Sequence, residues 1–232
     1  MKNIINQTLA VIPAYNEQGS VGGVVSGVRR LGMDVLVVDD NSLDRTRDEA
    51  MTGGARVLSL ASRLGAWGAT QTGLRYALKT KYKYAVAMDA DGQHLPETIP
   101  DLLKKGCPEK HDVIIGSCPE RVSSMRKMAW SWFRRLSSTD FLDLTSGFRV
   151  YNRRSMRLLL DRRAYLFDYQ DMGALLLMKK HGLRINEVPV KMLPRKIGHS
   201  KVFNSWFKVF KYMAVTSSLS ACKYRQQTRN KE

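Results

Sequence analysis

Residues 84–94 read YAVAMDADGQH, and this stretch decides the fold. Six residues of near-continuous apolar character end in a carboxylate, the pattern of a strand covered on both faces. Polar groups follow at once: Asp89, Asp91, Gly92, Gln93 and His94. The same arrangement occurs upstream, where residues 8–14 (TLAVIPA) run into Tyr15, Asn16 and Glu17, and residues 34–40 (DVLVVDD) close on Asp39 and Asp40. Shorter apolar runs at 55–60 and 112–116 (DVIIG) add two strands, and residues 21–31, 44–52, 66–79 and 96–105 carry helical spacing between them. Strand and helix alternate, so the chain is expected to be α/β, with a mostly parallel central sheet and flanking helices.

A sheet of that kind binds ligands outside the carboxyl ends of its strands. Pro13, Tyr15, Asn16 and Glu17 fall there after the first strand, Asp39 and Asp40 after the second, and Asp89 to His94 after the fourth. These strand ends gather acidic and amide groups with no matching Lys or Arg among them, so a cation is expected. Asp89 and Asp91 are one residue apart, which lets one stay at the strand end while the other turns into the cleft. With the amide oxygen of Gln93 they form a hard-oxygen set suited to Mg²⁺ or Mn²⁺, ions that keep positions open for substrate phosphates. Alone, DADG is an Asp-rich turn; its place beside Gln93 and two further acidic strand ends makes it a metal candidate. Neither GxGxxG nor GxxxxGK[ST] follows the first strand, so neither dinucleotide nor P-loop chemistry is supported, and Gly19, Gly22 and Gly23 are assigned to close packing.

The 232 residues are 44% hydrophobic, enough for a core, and carry a net charge of +17. Residues 1–119 hold 14 basic and 13 acidic residues and residues 120–232 hold 24 and 8, so the two parts carry +1 and +16. Such a block implies an anionic partner: nucleic acid, a phospholipid surface or a phosphorylated substrate. Residues 123–138 mix Arg126, Lys127, Arg134 and Arg135 with Trp130, Trp132 and Phe133, and residues 203–221 place Phe203, Trp206, Phe207 and Phe210 at helical spacing beside Lys208 and Lys211. Both are expected to be basic amphipathic helices docking on an anionic membrane; the competing reading makes the aromatic stripes core and the cations a solvated face. Residues 147–151 and 184–192 are expected as strands, 168–180 as a buried helix and 223–232 as a polar tail. Cys107, Cys118 and Cys222 are odd in number and lack CxxC spacing, which fits reduced thiols. Neither a signal peptide nor an apolar run long enough for a bilayer is expected, placing the protein in the cytoplasm.

VIPAYNE (residues 11–17), VVDDNSLDRT (37–46) and MDADGQH (88–94) resemble the family 2 glycosyltransferases of the GT-A fold. DLTSGFR (143–149), EVPV (187–190) and RKIGHSK (195–201) are similar to the branch containing dolichol- and polyprenyl-phosphate mannosyl- and glucosyltransferases. The resemblance implies an inverting transfer of a hexose from a UDP- or GDP-linked sugar to a polyprenyl phosphate, at the inner face of the membrane. It implies that Pro13, Tyr15, Glu17, Val38 and Ala90 line the nucleotide-sugar pocket, that Asp40 contacts the base, and that Asp89 contacts the donor. Asp91 and Gln93 would coordinate the metal, and Arg195 and Lys201 would close over the donor diphosphate and acceptor phosphate, with Asp91 and Arg195 the catalytic pair. Arg121 and Arg135 are further candidates for the acceptor phosphate. Asp143 and Arg149 either order the loop before the acceptor site or serve the structure alone. The catalytic domain is expected to span 1–202, with 1–119 taking the nucleotide sugar and 120–202 the acceptor, followed by an amphipathic helix and tail over 203–232.

Two departures from the family pattern stand out. Arg63, Leu64 and Gly65 occupy the place of a frequent Asn-x-Gly, with Trp67 in a loop that commonly carries small residues, which points to an altered sugar preference. Relatives often carry C-terminal transmembrane helices, so membrane contact here is expected to be peripheral or supplied by a small integral-membrane partner. Two other readings stay open. Transfer to a saccharide hydroxyl would use a base such as Asp171. A nucleic-acid-binding protein would account for the positive charge, but the acidic strand ends and the lack of a nucleic-acid module argue against it.

Overall fold

The computed structural model describes residues 2–118, 143, 146–161, 164 and 172–193. Arg121, Arg135, Asp171, Arg195, Lys201 and the segments 123–138 and 203–221 lie outside these described residues. The elements in chain order are α1 (Lys2–Asn6), β1 (Thr8–Ala14), α2 (Val21–Arg30), β2 (Asp34–Asp39), α3 (Thr46–Thr52), β3 (Arg56–Ser59), α4 (Gly65–Lys79), β4 (Tyr84–Ala87), α5 (Ile99–Gly106), β5 (Val113–Ser117), β6 (Arg149–Asn152), α6 (Arg153–Leu159), α7 (Met172–Lys180) and β7 (Ile185–Pro189). The apolar runs read as strands fall on β1 to β5, and a 3-10 turn over Pro96–Thr98 precedes α5. The helices α1 and α6 were not foreseen; α1 is five residues long and buries no side chain, so no apolar periodicity marks it.

Seven strands form one sheet in the order β3-β2-β1-β4-β6-β5-β7. The chain starts at β1, moves outward through β2 to β3, and returns to set β4 parallel on the other side of β1. The connections from β1 and β4 thus leave in opposite directions, and a crevice opens at their carboxyl ends. β6 runs antiparallel to both β4 and β5, while β5 and β7 are parallel. Strand direction is set by the connection rather than by the apolar pattern, so the reversed strand could not be read from residues 147–151.

Helices cover the sheet because their apolar residues fall on one stripe. In α2 the buried residues Val21, Val24, Val25 and Val28 recur at helical spacing. Of the glycines assigned to close packing, Gly22 fits that role, since a Cβ there would lie 3.3 Å from the Glu49 carbonyl oxygen. Gly23 does not, having nothing within 4 Å; the tight contact comes from Gly27, where a Cβ would meet Pro96 at 2.8 Å. Trp67 is in the first turn of α4 rather than in a loop: it is 4% exposed and its indole N–H donates to the Ala164 carbonyl at 3.2 Å.

Away from the crevice, Asp112 knits β5 to its neighbours. Its carboxylate accepts from the Arg184 amide at 2.8 Å and the Asn152 side chain at 2.9 Å, with Arg154 at 3.3 Å. Burial would raise this carboxyl, but those donors outweigh it and hold it below the ordinary carboxylate range. Its contribution is therefore present above that range and lost as pH falls through the lowered value.

Among the helix glycines of the described residues, Gly73 of α4 sits tightest against the sheet, where a Cβ would overlap Val11 Cγ1. Gly73→Ala is expected to destabilise the fold by about 1–3 kcal/mol through overpacking, despite alanine's better helix propensity. A lowered urea midpoint would report it; an unchanged or raised midpoint would show that α4 can move off β1 without cost.

Candidate functional site

The loops leaving β1 and β2 hold each other. Asn16 and Asn41 adopt left-handed backbone with φ of 52° and 62°, a conformation Asn tolerates better than most residues. The Asn16 amide donates to Ser42 Oγ at 3.0 Å, and Asn16 Oδ1 accepts from the Leu43 amide at 2.9 Å. Next along, the Glu17 amide donates to Thr46 Oγ1 at 2.7 Å, the Gln18 amide to Asp44 Oδ2 at 3.2 Å, and the Arg45 amide to Gln18 Oε1 at 3.1 Å. Burial would raise the Asp44 carboxyl, but the hydroxyl and amide of Thr46 and the amide of Gln18 outweigh it and hold it low. Ser42, Asp44 and Thr46 thus fix the backbone that carries Tyr15 and Glu17.

Both carboxylates at the end of β2 are buried, Asp39 at 5% and Asp40 at 2% exposure. Asp39 Oδ1 accepts from the Ser42 amide at 3.1 Å. Asp40 reaches the start of α4, where its two oxygens accept from the Leu64 and Gly65 amides at 2.6 and 2.9 Å. The residue at the N-cap, Leu64, offers no side-chain acceptor, so Asp40 supplies the cap from a distant strand and meets the positive end of the helix dipole. Val38 pairs in register with Pro13 and is fully buried, while Ala90 is 3% exposed, so their side chains line the core beneath the site.

A cation is present at these strand ends, contrary to the reading that none matched the carboxylates. The Arg63 guanidinium lies 3.9 Å from the Tyr15 ring centroid, and its Nε is 3.9 Å from Asp40 Oδ2. Its position 48 residues from Tyr15 hides this contact from local pattern. A second cation, Arg149, is fully buried on β6 in register with Ala87, two residues before Asp89. Burial pushes the neighbouring Tyr151 phenol up, against the opposing influence of Arg149.

The third strand end is the turn after β4. The Asp89 amide donates to His94 Nδ1 at 3.0 Å, which puts the imidazole proton on Nε2. His94 is 2% exposed and stacks on Phe148 at 5.1 Å between centroids. Gly92, at a φ of 76°, turns the chain, and the Gln93 amide donates to Asp91 Oδ1 at 3.0 Å. The Gln93 carbonyl accepts from the Leu193 amide at 2.9 Å, tying the turn to the segment after β7. His94 therefore anchors the turn, accepting from the Asp89 amide while its ring packs on Phe148.

Asp89, Asp91 and Gln93 are each half-buried and offer oxygen donors alone. Among the described residues no group of three or more His, Cys, Asp or Glu side chains assembles to hold a metal. Two carboxylates and an amide fit a hard divalent ion that completes its shell with phosphate oxygens and water. Asp143, 5% exposed, is engaged on the other side of the sheet centre: its amide donates to Glu187 Oε1 at 2.7 Å and its Oδ2 accepts from the Cys118 amide at 3.4 Å. A cavity of about 680 Å³ opens at the opposite, amino end of β1 and β2, lined among others by Arg29, Asp34, Lys81 and Tyr82. Tyr82 donates to Asp34 at 2.7 Å and Arg29 pairs with it at 3.2 Å, so this cavity is an ion-paired surface remote from the carboxylate turn.

Asp40→Ala removes two hydrogen bonds to a buried carboxylate and is expected to cost about 2 kcal/mol, with Asp40→Asn costing less because one acceptor remains. Urea unfolding of both variants measures it, and a wild-type midpoint for Asp40→Ala would remove the capping role.

The family model described as Glycosyl transferase family 2 matches residues 9–169. The chain is 33% identical to an undecaprenyl-phosphate mannosyltransferase of Micrococcus luteus, covering 84% of this chain and 87% of that one. It is 30% identical to a polyprenol monophosphomannose synthase of Mycolicibacterium smegmatis, covering 86% and 82%. Among solved structures, glucosyl-3-phosphoglycerate synthase from Mycobacterium tuberculosis in complex with Mn²⁺, uridine-diphosphate-glucose and phosphoglyceric acid superposes with a TM-score of 0.66 at 21% identity, covering 83% of this chain and 73% of that one. The mostly parallel GT-A sheet with flanking helices expected from the motifs is the fold observed. No helix among the described residues is long and apolar enough to cross a membrane.

Proposed function

The chain belongs to glycosyl transferase family 2, and on that premise we propose that it transfers a hexose from a nucleoside-diphosphate sugar to a polyprenyl phosphate, with inversion at the anomeric carbon. The observation that carries the reading is the gathering of Tyr15, Glu17, Asp39, Asp40 and the Asp89 to Gln93 turn at the carboxyl ends of β1, β2 and β4, at the point where the strand order reverses. The acceptor follows the relatives, whose names specify undecaprenyl phosphate and polyprenol as the lipids they mannosylate.

In this reaction an acceptor phosphate oxygen forms a bond to sugar C1 while the bond from C1 to the diphosphate breaks, and the nucleoside diphosphate leaves with the electron pair. The acceptor is already anionic near neutral pH, so the protein orients it and needs no strong base. Asp91 and Gln93 would hold a Mg²⁺ or Mn²⁺ ion, which when bound supplies Lewis-acid stabilisation of the leaving diphosphate. Asp89 contacts the donor, and the stitched loops after β1 and β2 keep Tyr15 and Glu17 in place against the nucleotide. Arg195 and Lys201 clamp the two phosphates, with Arg121 and Arg135 meeting the acceptor. The positive charge beyond residue 119 fits a protein that lies on the anionic cytoplasmic leaflet through residues 123–138 and 203–221, alone or with a small integral-membrane partner.

The test uses full-length protein, polyprenyl phosphate in anionic vesicles, Mn²⁺ or Mg²⁺, and a panel of labelled nucleotide sugars, with label then extracted into organic solvent. Label in that phase is expected with at least one donor, falling as salt screens the vesicle surface. Asp91→Ala is expected to lose roughly a hundredfold or more of the rate while staying folded, with only a small drop in urea midpoint from the lost Gln93 amide bond. No extractable label with any donor would move the acceptor to a hydroxyl, and a folded Asp91→Ala of wild-type rate would end the metal assignment.

A further inference from the structure

We propose that Arg63 selects the nucleobase of the donor, favouring guanosine over uridine diphosphate; the inference rests on the nucleotide-sugar reading above. Tyr15 follows β1 and Asp40 follows β2, and Arg63 bridges the two, its guanidinium carbon 3.9 Å from the ring centroid and its Nε 3.9 Å from the carboxylate. The ring face and the buried carboxylate hold the guanidinium together, the first by cation–π attraction and the second by charge. The Asp40 end of this arrangement is rigid, because the same carboxylate is fixed by the Leu64 and Gly65 amides. The Arg63 side chain is 56% exposed, so donor N–H groups remain accessible to a ligand entering beside Tyr15.

A guanidinium offers parallel donors, and its preferred ligand carries two adjacent acceptors. Guanine presents such a pair in O6 and N7. Uracil does not: each of its carbonyl oxygens is flanked by the N3–H donor on one side, and on the other by either C5–H or the glycosidic nitrogen. The fork thus makes two bonds to guanine and one to uracil. Lysine keeps the charge and loses the fork, so the two contributions separate by substitution.

Calorimetric titration of GDP and of UDP, each with Mn²⁺, into full-length wild type, Arg63→Ala and Arg63→Lys tests this. Wild type is expected to bind GDP roughly tenfold or more tightly than UDP, and both variants are expected to bring that ratio close to one. A wild-type preference for UDP, an unchanged ratio in Arg63→Ala, or a preference kept by Arg63→Lys would each overturn the proposal. In those outcomes a nucleoside diphosphate still binds and the glycosyltransferase reading stands. Binding of neither nucleotide by wild type would remove both.

Discussion

Two loops that leave neighbouring parallel strands share their hydrogen bonds, and the site depends on that exchange. A backbone turning sharply after a buried strand exposes amides that must find acceptors. Here the amides of Asn16, Glu17 and Gln18 go to Ser42, Thr46 and Asp44, and the amides of Leu43 and Arg45 go back to Asn16 and Gln18. Each loop thus braces the other. The consequence for function is positional: Tyr15 and Glu17 are presented by a cross-braced frame rather than by a free loop, which is what precise binding of a small ligand requires.

The same economy governs the acidic groups. Four carboxylates end or follow β2 and β4, and repulsion among them would be severe if each were left to solvent and its neighbours. Asp39 is held by a loop amide, Asp40 by the first turn of α4, and Asp91 by the Gln93 amide. Arg63 adds a positive charge at the Asp40 end, and Arg149 adds one beneath β4. The acidic character is thereby concentrated on the turn after β4, where a divalent ion would offset both it and the charge of a diphosphate.

Much of this was legible in the amino-acid order, for identifiable reasons. β1 and β2 are unbroken apolar runs because both faces are covered, and their bounds could be read almost to the residue. The Asp89, Asp91 and Gln93 group could be located because ligand sites collect at strand ends. The direction of β6 could not be read, since an antiparallel strand with a buried Arg149 leaves no distinct periodicity. The capping role of Asp40 was hidden because its helix begins 24 and 25 residues later in the chain. Arg63 looked like a loop residue departing from a family pattern, and only the fold brings it onto Tyr15. His94 gave no signal for its role because its partner Phe148, just before β6, lies 54 residues later in the chain.

In the proposed reaction the turn after β4 would supply one part of a metal site and the donor diphosphate the other. Asp91 and Gln93 would supply two oxygen ligands of a hard divalent ion's shell, so the protein should take up Mn²⁺ weakly by itself and far more tightly once a nucleoside diphosphate is present. The electron paramagnetic resonance signal of free Mn²⁺, followed during titration of the protein with and without nucleoside diphosphate, measures this directly. A signal that falls with protein and nucleotide together, beyond the fall caused by nucleotide alone, is the predicted result. Equal uptake with and without nucleotide, or no uptake beyond that of nucleotide alone, would contradict it.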